Sequence, residues 1–281
     1  MTGYLKGSVR SADGTTIGYR QYGDGPGLIV VHGGMKAAQH LSVLAADLGH
    51  RFRVYLPDRR GRGMSGPYGA GYGIRREVED IQALAAATGS RLIFGHSAGA
   101  LITLRAAVAT PALDRVALYE PPLPVNGSVP AGWVPRFDRE IAAGKRAAAA
   151  ATALKGSRLD PTFARLPRWL LLGVVAAGIR AEHPGADEVS IAELIPTMHF
   201  DVQIAEEMAD TASAYAALTA PVLLLGGTRS PGYIGVALRE LEAALPNVRR
   251  TTLKGLDHAG PEDEGSPLIV AKALRDFFTK P

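Results

Sequence analysis

Short apolar segments alternate with amphipathic segments along the first 120 residues of the chain. Apolar runs of about five residues are typical of buried strands, whereas apolar residues that recur every three or four positions predict helices. The first two strands are predicted to form a hairpin, because they flank Ala12-Asp13-Gly14 and Asp-Gly favours a hairpin turn. The predicted strands are 7–10, 16–22, 27–31, 52–56, 92–94 and 116–119, and the predicted helices are 37–48, 75–87 and 98–109.

The alternation is interrupted after residue 120 and resumes near the end of the chain. The later predicted strands are 221–225 and 248–253, and the later predicted helices are 236–245 and 268–278. This pattern predicts an α/β fold with a mostly parallel central sheet and helices on both faces. Between the two parts the sequence mostly favours helix. We therefore predict a core domain of residues 1–120 and 217–281, with residues 121–216 inserted as a helical cap or lid.

The composition is that of a globular chain and argues against several classes of protein. Of the 281 residues, 47% are hydrophobic, and the charge of +4 is dispersed, so we expect no nucleic-acid partner. The chain has no cysteine, which excludes disulfides, a thiolate nucleophile and a Cys-based zinc site. The N-terminus lacks the apolar core of a signal peptide, and no apolar run reaches the ~18 residues of a membrane span. A soluble, cytoplasmic protein without a membrane span is the expectation.

A G-x-S-x-G pattern, Gly95-His96-Ser97-Ala98-Gly99, is the strongest candidate for chemistry. The string alone is weak in a chain with 33 glycines. However, it directly follows a predicted strand and begins a predicted helix, which is the setting that a nucleophile elbow requires. A serine at a helix N-terminus can be a simple N-cap, but the same position favours a developing negative charge. The context favours Ser97 as a nucleophile.

Four segments together resemble the α/β-hydrolase family over essentially the whole chain. They are His32-Gly33-Gly34, the segment 58–65, the segment 95–99 and the late His258. The resemblance implies the α/β-hydrolase fold with a cap, a serine–acid–histidine triad and chemistry that needs no cofactor and no metal. It is specific for the family and not for a substrate.

A serine hydroxyl is a poor nucleophile until a base takes its proton. The family places that base after the last strand, where this chain has Leu256-Asp257-His258. His258 is therefore the candidate base. His96 lies inside the elbow and is expected to point away from the reaction, and His32 is expected to brace the turn that it precedes.

A tetrahedral intermediate needs N–H donors directed at its oxygen. The N–H of Ala98, directly after the nucleophile, is one candidate for this oxyanion hole. The second candidate is Gly34, with Met35 next in line, because glycines there let the backbone approach a substrate closely.

The acid of the triad departs from the family's usual pattern. The resemblance places it after the next-to-last strand, yet residues 218–239 contain no Asp or Glu, and Ser230 stands where an aspartate is expected. One explanation moves the acid to Glu120, at the end of the preceding strand, as in some family members. The other is a degraded triad in a protein that does different chemistry or only binds a ligand. We favour Glu120, with Asp257 and Asp210 as weaker alternatives.

Apolar residues of the predicted cap and of the glycine turn are candidates to line a substrate pocket. These are Met35, Trp133, Met198 and Phe200. Met198 and Phe200 have an equally good interpretation as the cap's own core. His199 and Asp201 are close in sequence, but two neighbouring ligands do not make a metal site. The segment 58–65 lacks the spacing of a phosphate loop and is expected to pin a loop through Asp58 and arginine hydrogen bonds.

The leading hypothesis is a cofactor-free serine hydrolase that cleaves an ester, lactone or thioester of a small to medium hydrophobic substrate through an acyl-enzyme. An amide substrate is less favoured. The same scaffold hosts lyases, perhydrolases and acyl transferases, so a non-hydrolytic enzyme is the second hypothesis. A ligand-binding protein with a degraded triad is the third. Enzymes of the family that use an aspartate nucleophile are disfavoured by Ser97. The oligomeric state is left open.

Overall fold

The computed structural model describes residues 3–279, without the side chain of Pro161. The strands are β1 (Leu5–Arg10), β2 (Thr16–Tyr22), β3 (Gly27–Val31), β4 (Arg53–Pro57), β5 (Leu92–His96), β6 (Arg115–Tyr119), β7 (Val222–Gly227) and β8 (Val248–Leu253). Within the described residues they form one sheet in the order β1-β2-β4-β3-β5-β6-β7-β8. β2 pairs antiparallel with β1 and β4, and the other neighbours pair parallel. The predicted α/β fold with a mostly parallel sheet is confirmed.

Helices cover both faces of this sheet. They are α1 (Ser42–Leu48), α2 (Ile74–Thr88), α3 (Ala98–Ala109), α4 (Val134–Ala142), α5 (Arg146–Ser157), α6 (Pro161–Arg165), α7 (Arg168–Ala181), α8 (Ile191–Leu194), α9 (Met198–Glu207), α10 (Gly232–Ala244) and α11 (Pro267–Phe278). Residues 37–48, predicted as one helix, form a 3-10 helix (Ala38–Leu41) followed by α1. Each piece has an acceptor from elsewhere in the chain at its N-terminus, because Asp58 accepts the N–H of Ala38 and Asp263 accepts the N–H of Val43.

The two layers of the core follow from the alternation of side chains along each strand. In β3, Ile29 and Val31 belong to one buried cluster, which contains residues of α2, α3 and α10. Leu28 and Val30 point to the opposite face and belong to a second cluster, with residues of α1 and α11. Because both faces are buried, the central strands are apolar throughout and do not alternate with polar residues.

Between β6 and β7 the chain forms α4 to α9, which we call the inserted helices, together with 3-10 helices at Ile195–Thr197 and Ala212–Ala217. The inserted helices have a small core of their own, in which Phe137, Ala150 and Ile195 are buried. Helix α9 also joins the main core through Ile204. These helices fall in the interval 121–216, and its role as a cap stays a prediction.

Helix α7 is the most exposed of the inserted helices. Leu171 is its buried residue, and Trp169 is 74% exposed. Nowhere in residues 3–279 is a helix long and apolar enough to cross a membrane.

Candidate active site

Ser97 lies in a tight turn between β5 and α3. Its backbone has φ 54° and ψ −123°, a conformation that costs energy for a residue with a side chain and is often found at functional sites. A Cβ at Gly99 would lie 2.4 Å from the carbonyl oxygens of His32 and Val31, and a Cβ at Gly95 would lie 2.4 Å from the carbonyl oxygen of Gly99. The turn therefore requires glycine at both flanking positions, which explains the pattern around Ser97.

The structure brings Ser97, His258 and Glu120 together at the carboxyl ends of the strands. Ser97 follows β5, Glu120 follows β6, and His258 lies in the loop between β8 and α11. The distance from Ser97 Oγ to His258 Nε2 is 2.9 Å, and the distance from His258 Nδ1 to Glu120 Oε2 is 2.8 Å. Because an ionised carboxylate can only accept, His258 donates through Nδ1–H and its Nε2 accepts the hydroxyl proton of Ser97.

Glu120 is fully buried, with a side-chain exposure of 0%, and both of its oxygens have partners. Oε2 faces His258, while Oε1 accepts the N–H of Gly227 at 2.7 Å and the hydroxyl of Ser230. Burial alone raises the pKa of this carboxyl, but the bonds and charge of His258, with the donors Ser230 and Gly227, lower the pKa of Glu120 overall. Ser230, at the position where an aspartate is expected, thus supports the carboxylate of Glu120.

Two other histidines brace the loops of the site. His96 Nε2–H donates to the backbone carbonyl of His258 at 2.9 Å. His32 accepts the N–H of Arg59 at Nε2 and donates from Nδ1 to the carbonyl of Gly33. Burial, with the charge of His258, lowers the pKa of His96 to about 4, and burial with nearby arginines holds the pKa of His32 well below its usual value.

Because His96 and His32 are buried as neutral imidazoles, we expect the free energy of unfolding to depend on pH. In the unfolded chain a histidine binds a proton below about pH 6.5, whereas His96 in the folded chain stays neutral down to about pH 4. The unfolded state therefore binds more protons between these values. The His96 contribution is fully present above pH ~6.5, and the free energy of unfolding is expected to fall below it, by up to about 3 kcal/mol at pH ~4. Urea unfolding between pH 7 and 5 measures this slope.

The matched control is His183→Gln, which removes an exposed imidazole and is expected to keep the slope of the wild type. His96→Gln keeps a donor for the carbonyl of His258 but has no titrating group, so its slope is expected to be shallower. An unchanged slope in His96→Gln would contradict the assignment. The window above pH 5 avoids carboxylates such as Glu120, whose pKa is lowered from an ordinary 4.5. Burial raises the pKa of Asp80 to about 6, so Asp80 titrates inside this window, but its contribution is common to the wild type and the variants and cancels in their comparison.

The glycine loop, residues 33–36, lies against Ser97. A Cβ at Gly33 would lie 3.0 Å from the Cβ of Ser97. Met35 has φ 50°, and its N–H already donates to Asp201 Oδ2 at 3.0 Å. This bond leaves Gly34 as the oxyanion-hole candidate from this loop. Ala98 is the first residue of α3, so its N–H is among those that a helix leaves without an intrahelical partner.

Of the four predicted pocket residues, the structure groups three. Met35, Trp133 and Met198 are half-buried around the small core of the inserted helices. Phe200 lies apart from them, because its ring stacks on Tyr68 with centroids 3.7 Å apart and meets Tyr72 edge-on. Phe200 therefore packs helix α9 against the main core and lies outside the small core of the inserted helices, so the interpretation of Phe200 as part of the cap's own core is wrong.

The sequence did not predict the buried ion pairs of Asp201. His199, its neighbour, is exposed and pairs with Asp138, whereas Asp201 is buried with Arg59 and Arg62. Among the described residues, no group of three or more His, Cys, Asp or Glu side chains could hold a metal ion. A signal was available, because the arginines of the Gly-rich segment 58–65 require carboxylates if they are buried. Nothing in the sequence says which carboxylates these are.

A family model, two relatives and a solved structure are similar to this chain. A family model described as the alpha/beta hydrolase family matches residues 28–273. N-formylmaleamate deformylase of Pseudomonas putida is 40% identical over 129 residues, which cover 44% of this chain and 48% of that protein, so the chain spans about half of that relative. 2-(Acetamidomethylene)succinate hydrolase of Mesorhizobium japonicum is 26% identical over 280 residues, covering 94% of this chain and 91% of that protein. The crystal structure of an alpha/beta hydrolase from Sphaerobacter thermophilus has a TM-score of 0.78, with 28% identity, 97% of this chain covered and 100% of that chain.

Proposed function

We propose that this chain, which belongs to the alpha/beta hydrolase family, is a serine hydrolase that passes an acyl group first to Ser97 and then to water. The observation that carries the proposal is the continuous hydrogen-bonded path from Ser97 Oγ through His258 to the buried Glu120. A nucleophile, a base within hydrogen-bond reach and a third group that orients the base are what acyl transfer requires.

The reaction has two halves in this arrangement. As Ser97 Oγ bonds to the carbonyl carbon, His258 Nε2 takes the hydroxyl proton, and the electron pair of the carbonyl moves to its oxygen. The N–H groups of Gly34 and Ala98 stabilise that negative charge. His258 then returns its proton to the leaving group as the bond to the carbonyl carbon breaks. Water, activated by His258, releases the acid from the acyl-enzyme, and Glu120 keeps His258 in the Nδ1–H tautomer throughout.

The substrate class follows from the residues nearest to this machinery. Met35 is next to Gly34 in the chain, and its side chain packs against the small core of the inserted helices, as do those of Trp133 and Met198. We propose that these helices, within residues 121–216, act as the cap and enclose an apolar acyl group. Esters, lactones and thioesters of small to medium hydrophobic acids are the proposed substrates, and no cofactor is needed for the steps above.

A second candidate function is hydrolysis of an amide bond. Its support is the names of two relatives, N-formylmaleamate deformylase and 2-(acetamidomethylene)succinate hydrolase, since both names contain an N-acyl group. Cleavage of an amide would use the same hydrogen-bonded path from Ser97 through His258 to Glu120. The departing nitrogen must receive a proton, and His258 Nε2 can donate the proton that it took from Ser97.

The test is to hydrolyse matched esters and amides of the same acyl groups in ¹⁸O-labelled water. Formyl, acetyl and butyryl compounds cover the proposed range. Incorporation of one ¹⁸O into the released acid is the expected result, because water resolves the acyl-enzyme. The ratio of kcat/KM for each ester and amide pair assigns the bond that is cleaved. Product without ¹⁸O would instead favour a lyase or an acyl transferase.

Covalent labelling separates an enzyme from a binding protein. A fluorophosphonate is expected to add one adduct to the wild type, detected by intact mass. A folded wild type that resists fluorophosphonates of several sizes, and that turns over none of the substrates, would favour a ligand-binding protein with a degraded triad.

A further inference from the structure

Asp201 is a buried carboxylate that reaches the glycine loop from the inserted helices. It lies on α9 and is 5% exposed. Its Oδ2 accepts the N–H of Met35 at 3.0 Å, and a Cβ at Gly34 would lie 3.0 Å from the same oxygen. The carboxylate therefore packs directly on the two residues that follow Gly33, beside the nucleophile.

Arg62 holds the same loop from its other side. Its Nη1 donates to the carbonyl of Lys36 at 2.9 Å and to the carbonyl of Gly33 at 3.2 Å, so it spans both ends of the loop. Its Nη2 donates to Asp201 Oδ1 at 2.7 Å. Asp201 and Arg62 thus form a clasp around residues 33–36, with the planar guanidinium directing three hydrogen bonds at once.

Arg59 completes the electrostatic environment of the clasp. It donates to Asp201 Oδ1 at 2.7 Å and pairs with the buried Glu77 at 2.8 Å. Burial opposes the ionisation of Asp201, but the charges of Arg62 and Arg59 lower its pKa below the ordinary range, so the carboxylate stays charged. Two arginines and two carboxylates balance, which lets all four charges be buried.

The conformation of Met35 shows what the clasp has to hold. Met35 has φ 50°, a left-handed backbone conformation that is costly for a residue with a side chain. Such a conformation persists when surrounding contacts enforce it, and the bond from its N–H to Asp201 is a contact of that kind.

We infer that Asp201 is a positioning residue, which holds the glycine loop in the conformation that presents the Gly34 N–H to the reacting oxygen. The inference rests on the proposed function, in which Gly34 binds the oxyanion. Because Asp201 belongs to α9, the placement of the inserted helices and the geometry of the oxyanion hole are coupled. Displacement of α9 removes the partner of the Met35 N–H and of Arg62 together.

The test is Asp201→Asn, which keeps the size of the side chain. Asparagine has one acceptor oxygen for three donors, so its NH₂ group must face either the Met35 N–H or the arginines. A fall in kcat on the order of 10- to 100-fold is expected, less than the roughly 10²- to 10³-fold for removing an oxyanion donor, because the Ala98 N–H stays. KM is expected to change little, since the loss is confined to the transition state.

Two measurements distinguish positioning from a merely structural role. A trifluoromethyl ketone forms a serine adduct with a tetrahedral oxyanion, and its affinity is expected to fall by the same factor as kcat/KM. Titration of active sites with a fluorophosphonate corrects every rate for the folded fraction. Arg62→Lys, which loses the fork but keeps the charge, is expected to show the same pattern. A fall in kcat with unchanged affinity for the ketone would overturn the inference.

Hydrogen exchange tests the clasp without any activity. The amide of Met35 is expected to exchange faster in Asp201→Asn than in the wild type, because the neutral asparagine either turns its NH₂ group toward the Met35 N–H or accepts from it more weakly than the carboxylate does. Unchanged amide exchange across residues 33–36 would overturn the inference, even if the protein hydrolysed no substrate. Failure of the proposed function gives a different result, a wild type that is inactive and is not labelled by the fluorophosphonate. Asp138→Asn replaces a half-exposed carboxylate on α4, is the control, and is expected to match the wild type. If Asp201→Asn does not fold, Asp201→Glu keeps the charge and displaces the loop by one methylene, with a smaller effect in the same direction.

Discussion

Replacing Ser97 with alanine is expected to lower kcat by about 10⁴- to 10⁶-fold and to abolish the fluorophosphonate adduct. In the proposed mechanism the hydroxyl oxygen bonds to the carbonyl carbon, and it lies 2.9 Å from the His258 Nε2 that takes its proton. The side chain of Ser97 makes no N-cap hydrogen bond to α3, so its loss leaves the elbow intact. The free energy of unfolding is expected to change by no more than about 1 kcal/mol, the net value of one hydrogen bond. Steady-state kinetics, intact mass and urea unfolding check the three parts.

Ser128→Ala is the matched control for this variant. Ser128 accepts the N–H of Val125 in the loop that precedes α4 and is far in sequence from the elbow. It is expected to keep the activity and the adduct of the wild type. Hydrolysis by Ser97→Ala at more than about a tenth of the rate of the wild type would eliminate the acyl-serine mechanism, since removal of a true nucleophile leaves far less.

Glu120→Gln is expected to lower kcat by about 10³- to 10⁴-fold while the protein stays folded. The buried carboxylate accepts from His258 on one oxygen and from Gly227 and Ser230 on the other. Glutamine offers one acceptor oxygen, so its NH₂ group faces either the His258 ring or the donors on the far side. When it faces the ring, Nδ1 must accept and Nε2 carries the proton, which leaves no base for Ser97.

The choice between Glu120 and a degraded triad is decided by this variant and two companions. Fluorophosphonate labelling of Glu120→Gln as fast as that of the wild type would remove Glu120 from the triad. Ser230→Ala removes one donor to the carboxylate, which raises the pKa of Glu120, and is expected to cost about tenfold, near the value of a hydrogen bond to a charged group. The double variant Glu120→Gln with Ser230→Asp restores a carboxylate beside the lost one, and recovery of part of the activity is expected only if an acid at this place orients His258.

The local sequence pattern was sufficient to predict the strands and helices that position the candidate site. The strand–turn–helix around Ser97 depends on residues within about ten positions, because strand propensity, two glycines and helix propensity act through neighbours along the chain. The alternation of apolar strands with helices likewise depends on local periodicity, and the sheet and its two covering layers followed from it. Local pattern did not predict the break within residues 37–48, where the two pieces have N-terminal acceptors that are distant in sequence, Asp58 and Asp263.

The partners of the site lie far apart in sequence. Glu120 and His258 are separated by 138 positions. Ser230, which stands where the sequence leads one to expect an aspartate, lies 110 positions after Glu120 and donates to its carboxylate. The sequence favoured Glu120 because the carboxyl ends of parallel strands meet at one edge of the sheet. It left alternatives open because the conformations of the loops after those strands are not determined by local pattern.

The sequence by itself determined the order of strands and helices along the chain, the tight turn at Ser97 and the position of His258 after the last strand, because each is encoded by neighbouring residues. The tertiary structure alone decided that Phe200 packs against Tyr68 and that Asp201 joins Met35, Arg59 and Arg62 across more than 130 positions. Those contacts depend on where the inserted helices rest on the sheet. Their energy comes from burial and from charges matched in three dimensions, which no spacing along the chain records.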